Sequence, residues 1–428
     1  VLTKSPFTYL HNVAADHGDF VRIRVGPTSV YLTSNPDHFQ HILRDKHQNY
    51  KKSQLLYKAG KLVIGNGLIT NEGDSWLRQR RMIQPHFHRA KISGFTDVMT
   101  RVIDEILTSW GDEQTFDLRE RMSQLTIEIT SQIMFGNSGV TPDQMKTINQ
   151  DQLFIVDYVA LRGYLPFVPG WFPLPGTRRF KGIMKRLSQT INHIIELGRQ
   201  SEVDSGNLLS MLINAVDEET NTGMTNEQLF DEIMAVFVAG FETTSTALTW
   251  MFYLIHQNPE VKEKMLTEVR SVLGTRTPTL EDVQHLNYIR MTIQETMRYY
   301  PPVAILPRTA TTDDRLGDYD IAEGSIVMLY FYGLHHNKLE WDDPEKFDPE
   351  RFTPENVQAR SRFAYLPFST GPRQCIGNEF AMLESVLIVA MILQRYDMNV
   401  DRDEIITPRL STTLVPKRNI MATVKKLD

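Results

Sequence analysis

Apolar and polar positions alternate along residues 19–32 (DFVRIRVGPTSVYL) on either side of Gly26-Pro27. Successive side chains of a strand point to opposite faces, so this stretch predicts a β-hairpin. Asn35-Pro36-Asp37 then predicts a helix start, running toward Leu43. From about 75 to 217 the apolar spacing is mostly helical, with loops marked by Gly and Pro. Within it, residues 165–175 (LPFVPGWFPLP) hold too much proline for a regular helix. They read as a loop between two helices, and their apolar character suggests that they cover a neighbouring surface. A long helix is expected over 225–257 and another over 280–300, ending at Pro301-Pro302. Strand-like pieces follow at 305–310 and 325–329, then a coil over 341–352. Residues 378–392 (NEFAMLESVLIVAMI) form a last apolar helix. No internal repeat or low-complexity linker interrupts the chain. The pattern is mainly α, a single helix-rich domain over 1–428. A small β region comes from both ends, with a β-containing N-terminal part at about 1–70.

Composition narrows the function class. The 428 residues are 41% hydrophobic and 23% charged, as in an ordinary globular protein. A net charge of −6 argues against a general nucleic-acid binder. One cysteine excludes an intrachain disulfide and points to a reducing, cytoplasmic setting. The longest apolar runs, 233–241 and 386–393, fall short of the ~20 residues of a membrane span, so no stable membrane insertion is expected. No signal-peptide pattern opens the sequence. It starts at Val1 rather than Met, which leaves open an upstream segment or anchor.

The one cysteine, Cys375, lies in Phe368-Ser-Thr-Gly-Pro-Arg-Gln-Cys-Ile-Gly377. Gly371 and Gly377 lack a Cβ and let backbone approach a flat partner. The helix expected at 378 puts unpaired N–H groups near the sulfur and favours a thiolate, with Arg373 as a nearby cation. Taken alone, a lone cysteine is more often a small buried hydrophobe. The run as a whole, F-x-x-G-x-R-x-C-x-G, resembles the haem-binding loop of the cytochrome P450 family, in which the cysteine thiolate is the proximal haem ligand.

Three further stretches agree with that resemblance. Ala239-Gly-Phe-Glu-Thr-Thr244 sits inside the long helix, although Gly240 weakens a helix and Thr243 and Thr244 can bond back to the preceding turn. As residues alone, a close helix crossing and a functional site explain it equally well. The stretch resembles the family's A-G-x-[D/E]-T motif. The resemblance implies that Ala239 and Gly240 make room for dioxygen, that Thr243 hydrogen-bonds the reduced dioxygen, and that Glu242 relays protons from solvent. Glu295-Thr-Met-Arg298 pairs opposite charges on one helix face, and Pro349-Glu-Arg-Phe352 follows later. These resemble the E-x-x-R and P-E-R-F segments, implying that Glu295, Arg298 and Arg351 form a structural charge network. Trp76 and Arg80 stand at i, i+4 spacing. By resemblance Trp76, Arg80, Arg308 and Arg373 contact the haem propionates, whose carboxylates suit arginine forks. Phe368 and Gly377 complete the cofactor loop.

The resemblance therefore implies the cytochrome P450 fold enclosing haem b, with iron held by Cys375 and dioxygen as co-substrate. It implies a monooxygenase of the soluble bacterial type. Electrons would come from a separate ferredoxin or flavodoxin with its reductase. The basic cluster Arg78, Arg81, Arg89 and Lys91 is a candidate docking patch for such a partner. Phe237, Phe241, Val303 and Thr412 are candidate substrate contacts, and the mainly apolar lining favours a fatty acid, terpenoid or carotenoid. Two alternatives differ in class. One is a peroxygenase or hydroperoxide isomerase without an electron partner, against which the Glu242-Thr243 pair argues. The other is a non-enzymatic haem-thiolate sensor, which has no use for a proton relay. His335-His336 tempts a metal reading, but adjacent side chains face different ways.

Overall fold

The computed structural model describes residues 6–25, 28–136, 140–165, 168–201, 206–400 and 405–427. These group into two compact units. The first comprises 1–53, 104–123 and 243–428, and the second 54–103 and 124–242.

The first unit holds a five-stranded sheet in the order Phe20–Val25, Thr28–Thr33, Ile326–Tyr330, Ile305–Ala310, Tyr50–Lys52. The expected hairpin is present, with Phe20 opposite Thr33 and Arg24 opposite Ser29; its turn, Gly26-Pro27, lies outside the described residues. Strand Thr28–Thr33 runs parallel to Ile326–Tyr330, placing Val30 opposite Ile326. The N-terminal β region is therefore completed by residues some 300 positions later. Phe39, Ile42, Leu43, Val327, Leu329, Phe331, Leu334 and Leu366 are buried in one cluster with this sheet. Asn35 caps the helix Pro36–Gln40 through its side chain, as its sequence position predicts.

The helix Asn378–Arg395 is buried nearly all round, from Leu383 to Leu393. Pro259–Val272 and Asn287–Tyr299 pack against it. The helix expected over 280–300 is two helices. Thr279 and Asp282 form a capping box for the single turn Leu280–Val283, and a new helix starts at Asn287. A three-stranded sheet joins Tyr396–Val400, Met421–Lys426 and Gln114–Asp117. Its last strand lies in a stretch whose sequence reads as helical.

In the second unit, Thr177–Gln200 buries Phe180, Ile183, Leu187, Ile191, Ile194 and Ile195. That is one stripe of a 3.6-residue period. A loop separates this helix from Gln152–Gly163, as expected; residues 166 and 167 of that loop lie outside the described residues. Two aromatics of the loop face solvent, Trp171 being 82% exposed and Phe172 47%. The helix Asn226–Gln257 is continuous through Ala239–Thr244 and belongs to the second unit up to Glu242 and to the first from Thr243. Among the described residues no helix is long and apolar enough to cross a membrane.

Candidate functional site

The Cys375 loop is built by two left-handed residues and a tight turn. Ser369 has φ +60° and Gly371 φ +73°. Gly371–Arg373 forms one 3-10 turn, closed by Gln374 N–H donating to Gly371 O at 3.0 Å. The amide of Cys375 donates to Phe368 O at 2.9 Å, which ties the two ends of the loop together. A Cβ on Gly371 would overlap the carbonyl oxygen of Leu43. The close approach that requires glycine at 371 is thus to the chain's own backbone. Gly377 has φ −89° and stands just before the helix Asn378–Arg395. Cys375 is exposed, so it is not a core residue. Arg373 and Phe368 are half-buried in the same loop.

A charge network stands beside this loop. Glu295 and Arg298 are completely buried and form a two-pronged pair, with Arg298 Nε at 2.7 Å from Oε2 and Nη2 at 2.8 Å from Oε1. The remaining guanidinium protons go to the carbonyls of His335 (3.0 Å), Pro344 (2.9 Å) and Lys346 (3.1 Å). All five donors of Arg298 are thereby used, the condition under which a buried cation is tolerated. Glu295 also accepts from Asp348 N–H at 2.8 Å, and Arg351 Nε lies 3.6 Å from its Oε1. The network expected from E-x-x-R and P-E-R-F is present. Its route to the loop runs through His335. Leu366 N–H donates to His335 Nε2 at 3.1 Å, and Ser369 N–H donates to Leu366 O at 3.0 Å. Sequence reasoning set a metal reading of His335 aside and did not find this contact; no local spacing signals it.

Arg308, on the strand Ile305–Ala310, is buried and donates to Pro307 O at 3.0 Å. Val303 is half-buried and Thr412 exposed. The turn holding Thr412 is strapped beside Val303, because Leu414 N–H donates to Pro302 O at 2.9 Å. Thr246 and Thr413 hydroxyls meet at 3.0 Å, and Trp250 Nε1 donates to Leu414 O at 2.6 Å. The first unit thus gathers Cys375, Phe368, Arg373, Gly377, Arg308, Val303, Thr412, Thr243 and the charge network. Thr243 is half-buried, whereas Thr244 beside it is buried.

The second unit holds the remaining candidates. Trp76 is buried and Arg80 half-buried on the helix Gly73–Ile83, with Arg80 Nε donating to Gln84 Oε1 at 2.7 Å. Phe237, Phe241 and Glu242 are buried, and Ala239 is half-buried. The rings of Phe237 and Phe241 lie 5.8 Å apart. A Cβ on Gly240 would stand 3.3 Å from Thr130 Oγ1, and Thr126 Oγ1 donates to Phe241 O at 3.2 Å. Gly240 is therefore at a close helix crossing within this unit. Two arginines of the proposed docking patch are engaged elsewhere. Arg78 Nη2 donates to Thr222 O (3.1 Å), Thr222 Oγ1 (2.8 Å) and Gly223 O (2.8 Å). Arg81 binds Asp217 at 3.0 Å and Glu219 at 2.6 Å. Arg89 and Lys91 are exposed.

The donor set fits haem-thiolate ligation. It offers an exposed cysteine on a hydrogen-bonded loop at a helix start, and arginines suited to carboxylates. The chain matches the family model described as Cytochrome P450 over residues 2–424. It is 34% identical over 424 residues to cyclooctatin synthase of Streptomyces melanosporofaciens, covering 98% of this chain and 92% of that protein. It is 32% identical over 396 residues to cyclooctat-9-en-7-ol 5-monooxygenase of the same organism, covering 92% of this chain and 85% of that protein. A crystal structure of the cytochrome P450DA heme domain aligns with a TM-score of 0.86 at 22% identity, over 99% of this chain and 92% of that one.

Proposed function

The chain belongs to the cytochrome P450 family and is a monooxygenase of that family; from this we propose that it oxidises a lipophilic substrate at a haem b held by Cys375 Sγ. The observation that carries the reading is the Cys375 loop, exposed at its cysteine and closed by the Cys375–Phe368 hydrogen bond. The haem, when bound, supplies the place where dioxygen is held and reduced. Overall, dioxygen, two electrons, two protons and a substrate C–H give an alcohol and one water.

In this reading the protein's own residues divide the work. Arg308, Arg373, Trp76 and Arg80 hold the propionates. Phe368, Gly377 and Ala239 line the cofactor. Thr243 Oγ1 delivers a proton, and the Glu242 carboxyl resupplies it. The half-buried setting of Thr243, against the burial of Thr244, supports Thr243 as the threonine that reaches the reacting oxygen. Glu295, Arg298 and Arg351 hold the loop and take no part in chemistry. Phe237, Phe241, Val303 and Thr412 are substrate contacts. The whole chain would then work as one domain.

Among lipophilic classes we place terpenoids first, ahead of fatty acids and carotenoids, because a relative is named for oxidising cyclooctat-9-en-7-ol. A ferredoxin or flavodoxin with its reductase supplies the electrons, and the cytoplasm is the compartment that suits a lone thiol. Arg89 and Lys91 are the exposed remainder of the docking patch. The test is turnover of farnesol, dodecanoic acid and β-carotene with a surrogate ferredoxin and reductase. Product from farnesol, dependent on the redox partner, is expected. Turnover with hydrogen peroxide alone, undiminished in Thr243→Ala, would replace the reading with a peroxygenase. Binding without product from any of the three would favour a sensor.

A further inference from the structure

Glu384 is a fully buried acid in the helix Asn378–Arg395, six residues beyond the start of that helix. Neither carboxyl oxygen has a hydrogen-bond partner, and among the described residues no cation pairs with it. The polar group that acts on it is the Thr244 hydroxyl. That hydroxyl is itself buried and unpartnered. It makes no bond back to the preceding helical turn, unlike Thr249, whose Oγ1 donates to Ser245 O at 2.7 Å. Two orphaned polar groups, one from each helix, therefore face each other within the first unit without satisfying hydrogen-bond geometry.

An unpaired polar group buried in this way is costly, and a small side-chain rotation that joins the two satisfies both. Thr244 is the immediate neighbour of Thr243, and successive helical residues are set roughly 100° apart. Fixing one azimuth fixes the other. We propose that Glu384 is a positioning residue: its carboxyl engages the Thr244 hydroxyl and so sets the rotation of the helix Asn226–Gln257 at Thr243. The inference rests on the proton-delivery role given above to Thr243. Burial pushes the Glu384 carboxyl well above the usual carboxylate range, with the Thr244 hydroxyl opposing. The engaged form is the neutral acid, which can donate its proton to Thr244 Oγ1.

The pairing is tested by infrared difference spectroscopy on the haem-loaded protein. Subtracting Glu384→Gln from wild type should leave a carboxylic-acid carbonyl band, and Thr244→Val should shift it. The positioning role is tested by coupling, product formed per reduced nicotinamide consumed, with farnesol as the probe or whichever of the three compounds turns over. Glu384→Leu and Thr244→Val should each lower coupling about threefold to tenfold, the scale of one hydrogen bond. The double variant should be no worse than either alone. Glu384→Gln, which keeps a donor, should restore coupling. Glu384→Leu should melt close to wild type, since replacing a buried carboxyl by an apolar side chain of similar size offsets the one hydrogen bond lost; a merely structural role would move the melting point and leave coupling unchanged. Absence of the carbonyl band, a band indifferent to Thr244→Val, or full coupling in Glu384→Leu would overturn the proposal while wild-type turnover left the monooxygenase reading intact. A wild type that makes no product would overturn both.

Discussion

The amide of Leu366 donates to Nε2 of His335, so the histidine beside the charge network must keep that nitrogen unprotonated. Burial first, and the Arg298 charge second, hold the His335 pKa down at about 3, against 6.5 in an unperturbed histidine. His336 is depressed by the same two causes. Above pH 6.5 both rings are neutral in folded and unfolded chains, and their contribution to stability is complete. Below it the unfolded chain takes up protons that the folded one refuses, so stability falls as pH drops toward 3. The expected slope is about 1.4 kcal/mol per pH unit for each histidine. Urea unfolding at pH 7 and pH 5 should show this loss, and His335→Gln should reduce the slope. An equal slope in the variant would contradict it.

Arg298 spends every donor on buried acceptors, so its loss should be severe. Arg298→Leu leaves the buried Glu295 without its two-pronged partner, with only Arg351 at 3.6 Å and the Asp348 amide remaining, and Arg298→Lys cannot reproduce the fork. We expect a loss of about 3–5 kcal/mol for Arg298→Leu, read as a fall in the urea midpoint together with reduced haem content. A variant with wild-type stability would show that the pair is dispensable.

Gly371 combines a left-handed backbone with contact on the Leu43 carbonyl. Gly371→Ala should cost about 1–2 kcal/mol from backbone conformation alone, with the overlap adding to it. The melting temperature should fall and the haem-to-protein ratio should drop. Gly377 has ordinary φ, and a Cβ there would meet Cys375 Sγ at 3.9 Å, an unstrained distance. Gly377→Ala should therefore be the milder of the two in stability.

Thr243→Ala should uncouple the enzyme. Product formation should fall about 100-fold, the lower range for loss of a positioned proton donor, while consumption of reduced nicotinamide continues and hydrogen peroxide accumulates. Product assays alongside peroxide assays check this. Unchanged product yield would remove Thr243 from proton delivery.

Much of the arrangement is legible from local pattern. The hairpin at 19–32 follows from alternation on either side of a Gly-Pro turn, and the long helix from its apolar spacing. The Cys375 loop and the Glu295–Arg298–Arg351 network are carried by short motifs. What sequence reading missed is non-local or too brief to show a period. The strand Gln114–Asp117 exists because Gln114 pairs with Val424 and Asp117 with Met421. Arg78 and Arg81 look like a free basic patch until a hairpin about 140 residues later supplies Asp217, Glu219 and Thr222. The helix begun by the Thr279–Asp282 capping box lasts a single turn, too short to show a period, before another starts at Asn287. The aromatics of 165–175 suggested cover, yet Trp171 faces solvent. His335 and Glu384 matter through partners 31 and 140 positions away, which no window along the chain contains.

The most direct measurement is the absorption spectrum of the reduced protein under carbon monoxide, for wild type and Cys375→Ser. A strongly red-shifted Soret band in wild type alone is expected, since only a thiolate donates enough charge through the iron to move it so far. No haem band in wild type, or the same band in a fully haem-loaded Cys375→Ser, would remove Cys375 as the ligand and with it the proposed chemistry.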